Sequence, residues 1–311
     1  FMPFAWLYLL PDSFIDFSKS ILYSLSFGSN YYFHFSGQEY AAESAQFKPF
    51  LHTWSLAVEE QYYILFPIIL IFLFRYLKIN LGKLLIVLFF VSLLFSDWSS
   101  KNYPSQTFYF IHTRIWELLA GSIMAYYEMK FGHRSKNQLL NLILPTLGFL
   151  LIILSIIFFK TYFRHPSFYT LVPVVGVCLI IWFSNKNEII YNILSSKILV
   201  AIGLISYSLY LWHYPIFVFD RITEFSKDNS FNTILVWCSL LLLSIISYFI
   251  IERPSRNNKI KFSYIFGVIF ITYFSLLFSN LLVLSNNGYS SRAPEILNRN
   301  LSMEKPWNLL T

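Results

Sequence analysis

Charge is scarce in this sequence. Asp, Glu, Lys and Arg make up 13% of its 311 residues, about half the ~25% of a soluble domain. Hydrophobic residues reach 56% and the mean hydropathy is +0.56. So few charges cannot cover a water-soluble surface, and lipid is the solvent for most of the chain. Cysteine is scarcer still, with two residues. Cys178 and Cys238 both lie in apolar runs, which excludes a disulfide framework and reads as two small core residues. No basic stretch with a cleavage site stands at the start, so no signal peptide is read there. The chain opens inside an apolar stretch, and Phe1–Leu10 reads as the tail of a helix that begins earlier. The net charge of +7 does not imply nucleic acid as a partner, because the basic residues sit in short loops between apolar runs.

Those runs define the fold class: all-α, a polytopic transmembrane helix bundle. About 20 mostly apolar residues cross the ~30 Å hydrocarbon core. Eight runs qualify: Val58–Phe74, Leu84–Trp98, Thr107–Tyr127, Leu139–Phe159, Phe168–Phe183, Ile198–Phe219, Phe231–Ile251 and Phe262–Leu284. The second and fifth are short. Phe14–Asn30 is apolar but broken by Asp16 and Lys19, and reads as an interfacial or re-entrant helix. Alternate loops differ in basic charge. One set holds Arg75, Lys78, Lys83, Lys130, Arg134, Lys136, Lys186, Lys197, Arg253, Arg256, Lys259 and Lys261; the other holds only Lys101, Lys160, Arg164, Arg221 and Lys227. The richer set is expected in the cytoplasm. This places Phe14–Leu56 and the polar tail Ser285–Thr311 outside, the tail reading as a linker.

An ionisable side chain inside a span costs ~2.5–3.5 kcal/mol on insertion scales, so each one asks for a reason. Glu59 and Glu60 open the first full span within His52-Thr53-Trp54-Ser55-Leu56-Ala57-Val58-Glu59-Glu60-Gln61. Ser55 fits as an N-cap, and carboxylates suit the positive end of a helix dipole. Together with His52 and Gln61, this stretch supplies an imidazole and two carboxylates, enough for general acid–base chemistry. Arg114 and Glu117 lie three apart on one helix face and can pair, with Gly121 continuing that face. Ser206, Tyr210 and His213 form a polar stripe on the sixth span. His52, Glu59, Glu60, Arg114, Glu117 and His213 fall in the outer part of the membrane, where they could line one outward-opening cavity. Each also has a plainer role: capped helix start, neutralised ion pair, interfacial tyrosine or satisfied core histidine. On these features alone, a transporter or flippase of a polar or anionic substrate competes with an enzyme.

Four segments resemble acyltransferase family 3, the O-antigen and polysaccharide acetylase type of membrane protein. They are Leu51–Pro67 (LHTWSLAVEEQYYILFP), Thr113–Ala125 (TRIWELLAGSIMA), Ile205–Phe217 (ISYSLYLWHYPIF) and Ile251–Arg256 (IERPSR), in the family's order. The resemblance implies a membrane-bound O-acyltransferase in a bacterial cytoplasmic membrane. It would pass an acyl group, acetyl foremost, from cytoplasmic acyl-CoA to a hydroxyl of an extracytoplasmic or lipid-linked glycan such as O-antigen. It implies no metal. His52, Glu59 and Glu60 become candidate catalytic residues; Trp54, Ser55, Gln61, Arg114, Glu117, Ser206, Tyr210 and His213 become candidate substrate-binding or cavity-lining residues. Family members carry further N-terminal helices, the first with a histidine needed for transfer, and this sequence holds no counterpart. The membrane domain is therefore expected over residues 1–284, incomplete at its N-terminus. Residues 285–311 are expected to be a linker like those leading to an SGNH-type domain.

Overall fold

The computed structural model describes residues 1–37, 43–77, 80–132, 134–160, 163–186, 188–227, 229–256, 260–294 and 296. Among these residues there are helices and turns but no strands. In chain order the helices are α1 (Met2–Tyr8), α2 (Pro11–Leu25), α3 (Ser29–Phe35), α4 (Thr53–Phe72), α5 (Leu81–Asn102), α6 (Pro104–Tyr109), α7 (Ile111–Phe131), α8 (Gln138–Phe158) and α9 (Phe168–Phe183). Then come α10 (Ile189–Leu194), α11 (Lys197–Thr223), α12 (Ser230–Ser247), α13 (Arg253–Ser255) and α14 (Phe262–Ser285), with a π-helical turn, Tyr248–Glu252, joining α12 to α13. Among the described residues, six segments are long and apolar enough to cross a membrane: α4, α5, α8, α11, Ser230–Ser255 and α14. Of the other two expected spans, α7 carries Arg114, Glu117, Glu128 and Lys130, and α9 has only 16 residues. The chain is an all-α, multi-pass membrane protein.

The structure divides into two compact units, Phe1–Ala57 with Gly203–Thr311, and Val58–Ile202. In the first, Phe14, Phe17 and Ile21 of α2 pack with Val218, Phe219 and Ile222 of α11 and Val283 of α14. The i, i+3, i+7 face of α2, within the stretch Phe14–Asn30, is thus buried in protein. The start of the expected linker also folds back. Asn287, Gly288 and Tyr289 turn through positive φ values of 48°, 65° and 56°. Arg292 then donates to the carbonyls of Trp6 and Gly288, its guanidinium 4.1 Å from the Trp6 ring centroid and 4.7 Å from that of Phe14. Residues 295 and 297–311 of that linker, and Lys78 and Lys259 of the basic loops, lie outside the described residues.

In the second unit α5 packs on α7 and α8 on α9. The α8–α9 approach depends on two facing glycines. A Cβ on Gly148 would stand 2.5 Å from the Gly176 carbonyl oxygen, and one on Gly176 2.7 Å from that of Gly148. Small residues allow this closeness where lipid supplies no hydrophobic drive between helices. The third expected span, Thr107–Tyr127, is broken at Phe110, whose ψ of 144° is extended. The Thr113 hydroxyl lies 2.7 Å from the Thr107 carbonyl and 2.8 Å from that of Phe110. A side-chain donor thus serves carbonyls that the interrupted helix leaves over. Of the two cysteines, Cys178 is half-buried, but Cys238 is exposed on α12 and is not a core residue.

Candidate active site

In the first unit, the site starts from how α4 begins. Ser29 donates to the Thr53 carbonyl at 2.9 Å, and Ser24 and Thr53 hydroxyls meet at 2.9 Å. These buried bonds seat the helix start at Thr53, two residues before the expected cap. Ser55 is therefore not the N-cap. It lies inside the first turn, and its hydroxyl meets Tyr210 Oη at 2.6 Å. Tyr210 in turn donates to the His52 carbonyl at 2.7 Å. With the tyrosine proton spent there, Ser55 is the donor to Tyr210, and the three groups form one directed chain.

His52 is 2% exposed. Its ring stacks on Tyr214 at 5.4 Å and meets Tyr210 and His213 edge-on at 5.3 and 5.6 Å. Neither ring nitrogen makes a hydrogen bond of ordinary geometry among the described residues. Burial foremost, with the neighbouring His213, pushes the imidazole down to about 3, against a backbone hydrogen bond at Leu211 that raises it. The ring is neutral at physiological pH. His213 Nδ1 lies 2.6 Å from the Tyr210 carbonyl; a carbonyl only accepts, so this nitrogen carries the proton.

His52 lines a cavity of about 460 Å³ with Thr53, Ser208, Leu211, Trp212, Ser247, Ile251, Glu252 and Ser255 among its walls. Ser208 donates to Glu252 Oε2 at 3.0 Å, and Arg256 donates to Glu252 Oε1 at 2.6 Å. Trp212 Nε1 donates to Ser247 at 2.8 Å. The expected stripe on α11 divides. Tyr210 and His213 join His52, whereas Ser206 is exposed and bonds to the Gly203 carbonyl of its own helix. Ser208 takes the buried place instead. Ser208, Trp212, Ser247 and Glu252 were not among the sequence candidates. Ser208 and Trp212 lie within the Ile205–Phe217 motif and Glu252 within Ile251–Arg256, while Ser247 lies in none of the four segments.

The second unit holds the other candidates. Glu59, Glu60 and Gln61 are half-buried, two turns into α4 rather than at its start. Neither glutamate takes part in a hydrogen bond or ion pair among the described residues, so both carboxylates are available. Trp54, in the first unit, is half-buried in the first turn of the same helix. Arg114, 7% exposed, is a hub. It meets Glu117 Oε1 at 3.3 Å, His165 Nε2 at 3.1 Å and the Phe108 carbonyl at 3.2 Å, and lies 4.9 Å from the Phe108 ring centroid. A guanidinium cannot accept, so His165 Nε2 does, and Nδ1 carries the proton toward Thr170 Oγ1 at 2.8 Å. Burial and the Arg114 charge push His165 down to about 4. Glu117 also borders a cavity of about 300 Å³ beside Gly121 and Cys178. His165, in a polar loop, gave no sequence signal.

Comparison with known proteins agrees with the motifs. The chain is 30% identical over 249 residues to the peptidoglycan O-acetyltransferase of Listeria monocytogenes, covering 76% of this chain and 40% of that one. It is 29% identical over 270 residues to a Staphylococcus aureus protein named as a putative O-acetyltransferase, covering 83% and 44%. A Bacillus subtilis protein named as a putative peptidoglycan O-acetyltransferase shares 29% over 251 residues, covering 76% and 39%. The chain thus spans less than half the length of these relatives. No solved structure matches it. The acyltransferase domain model of family 3 matches residues 17–253, most of the chain, and the chain therefore belongs to acyltransferase family 3.

Proposed function

We propose that the intact protein is a bacterial cytoplasmic-membrane O-acetyltransferase. It moves an acetyl group from cytoplasmic acyl-CoA to a hydroxyl of an extracytoplasmic cell-wall glycan. Family membership favours an enzyme over a transporter. The names of two relatives favour peptidoglycan over the O-antigen expected from sequence. The observation that carries the mechanism is His52: a buried, neutral imidazole lining a cavity, its ring held by no side-chain hydrogen bond among the described residues.

A ring of such low basicity cannot hold a proton for long. It can accept a hydrogen bond from a sugar hydroxyl and pass the proton on as charge moves. As the hydroxyl oxygen attacks the thioester carbonyl, its proton moves through the imidazole to the departing sulfur. A C–O bond forms, the C–S bond breaks, and no imidazolium persists in the buried site. Glu59 and Glu60 are the remaining bases of the same motif, each proposed to orient or deprotonate the acceptor. Trp54, Gln61, Arg114 and Glu117 are proposed to line the path of the substrates.

The test is acetylation of isolated peptidoglycan by cells carrying the full-length protein, read as base-released acetate. His52→Phe keeps the ring stack on Tyr214 and removes the nitrogens. Glu59→Gln and Glu60→Gln keep size and remove charge. His52→Phe and at least one glutamine variant should lose tenfold or more acetate at unchanged membrane levels. Full acetylation by His52→Phe would overturn the role of the imidazole. Full acetylation by both glutamine variants would leave Glu59 and Glu60 a structural role only.

A further inference from the structure

A second cavity, of about 300 Å³, opens between α7 and α9. Glu117 is the one charged residue on its walls among the described residues. Apart from Glu117 and the thiol of Cys178, a weak donor and acceptor, every wall residue is apolar, from Ala120 and Gly121 on α7 to Val177 and Ile181 on α9. Gly121 shows that this space does not serve helix packing. A Cβ built on it would meet no neighbouring atom within 4 Å, whereas Gly148 and Gly176 stand at backbone contact. Glycine weakens a helix interior, and at Gly121 no close helix contact offsets that. What it leaves is room.

The depth of the cavity is set by α8, a helix long and apolar enough to cross. Gly148 is the middle residue of α8, Gln138–Phe158, and faces Gly176 of α9. The wall residues Pro173 to Ile181 bracket Gly176, so the cavity lies level with the hydrocarbon centre. An occupant at that depth is mostly apolar. Glu117 adds one condition. Its Oε1 takes the Arg114 guanidinium at 3.3 Å, and its Oε2 accepts no hydrogen bond among the described residues. The ion pair is neutral in sum. An ionised head such as a phosphate gains no net attraction from it and would bring a charge to a depth where charge is costly. A single hydroxyl costs far less, and a carboxylate oxygen accepts its proton strongly.

We propose that this cavity binds a lipid alcohol: a neutral lipid with one apolar chain and one hydroxyl, whose O–H donates to Glu117 Oε2 and whose chain lies along Gly121, Val177 and Ile181. The site does not rest on the acetyl-transfer reading. It gives Arg114 and Glu117 a ligand other than the substrates, held intact, with no bond made or broken. The ion pair reads the head, and Gly121 admits the chain.

The test uses the full-length protein in membranes and a hexadecanol carrying a mid-chain diazirine, photolysed in place and its adducts mapped by mass spectrometry. Adducts should fall on the cavity residues of α7 and α9. Dodecanol should suppress them at membrane concentrations at least tenfold lower than its methyl ether, which has the same chain but no O–H. Gly121→Phe and Val177→Phe fill the space and should each lower the adduct yield at least tenfold. Val175→Phe, on an exposed side chain off the cavity wall, should leave the yield unchanged. Arg114→Met combined with Glu117→Leu removes the carboxylate without leaving a lone charge, and should bring the two competitors level. Equal suppression by dodecanol and its ether in the unaltered protein would overturn the proposal, whichever variants fold. So would adducts spread over the outer helix faces, or an undiminished yield in both filled variants.

Discussion

Removing one partner of the Arg114–Glu117 pair should cost much more than removing both charges together would suggest. At the observed 3.3 Å, two unit charges attract by about 5 kcal/mol at an effective dielectric of ~20. Desolvation opposes most of that gain. A lone charge left behind keeps the desolvation cost and loses the attraction, typically ~3–5 kcal/mol for a buried pair. The Arg114 side chain is 8% exposed and that of Glu117 25%, so solvent relieves the loss of Glu117 only in part. Glu117→Gln should therefore cost about 3 kcal/mol. Arg114→Met should cost more, because it also strips the Phe108 carbonyl and His165 of their donor. The double variant should fall short of the sum by about 1–3 kcal/mol, the range for residues in direct contact. Reversible unfolding of the detergent-solubilised protein gives each difference. A coupling below ~0.5 kcal/mol would refute the pair, whatever the single losses.

Further expectations follow from the same geometry. Tyr210→Phe removes the donor to the buried His52 carbonyl and the acceptor for Ser55; it should cost about 1–3 kcal/mol, whereas Ser206→Ala, on an exposed hydroxyl, should stay within ~0.5 kcal/mol in the same unfolding assay. Gly148→Ala places a methyl 2.5 Å from the Gly176 carbonyl oxygen, and the strain of forcing α8 from α9 should cost about 1–3 kcal/mol, visible as a lowered Tm. His52 and His165 are held near 3 and 4 in the folded state, against ~6.5 in the unfolded chain. The unfolded state then binds more protons between those values, so stability is full above pH 6.5 and is lost as pH falls, toward 4 for His165 and toward 3 for His52, by up to ~1.4 kcal/mol per unit for each ring. His52→Phe should flatten that slope, and an unchanged slope in both His52→Phe and His165→Gln would refute the assignment.

Much of this molecule is visible in its sequence because lipid imposes a strict length and composition on every crossing. The apolar runs mark the helices, and the rarity of charge inside them singles out Arg114, Glu117, Glu59 and Glu60. The break at Phe110 was hidden, because it rests on the Thr113 hydroxyl and not on any proline or glycine nearby. Ser55 looked like a cap because its type and spacing fit one; Ser29 and Ser24, more than twenty residues earlier, decide the true helix start. Periodicity placed Ser206 with Tyr210 and His213 but could not say which side of α11 meets protein. Ser208 is distinguished only by its tertiary contact with Glu252. His165 entered only through the tertiary reach of Arg114.

The brevity of α9 has a consequence for the membrane itself. Sixteen residues at 1.5 Å each span about 24 Å, short of the ~30 Å hydrocarbon core. The backbone cannot stretch, so the bilayer must yield: lipid thins around the helix, or the flanking Ser184, Asn185 and Lys186 are drawn toward its polar boundary. Each ångström of mismatch costs a fraction of a kcal/mol, enough to make the fold sensitive to acyl-chain length. In bilayers of shorter lipids that elastic penalty fades, and the pairing of α8 with α9 should be most secure there. Should α9 cross the bilayer, lipid thickness becomes a variable for this protein, and melting in bilayers of graded acyl-chain length reads it.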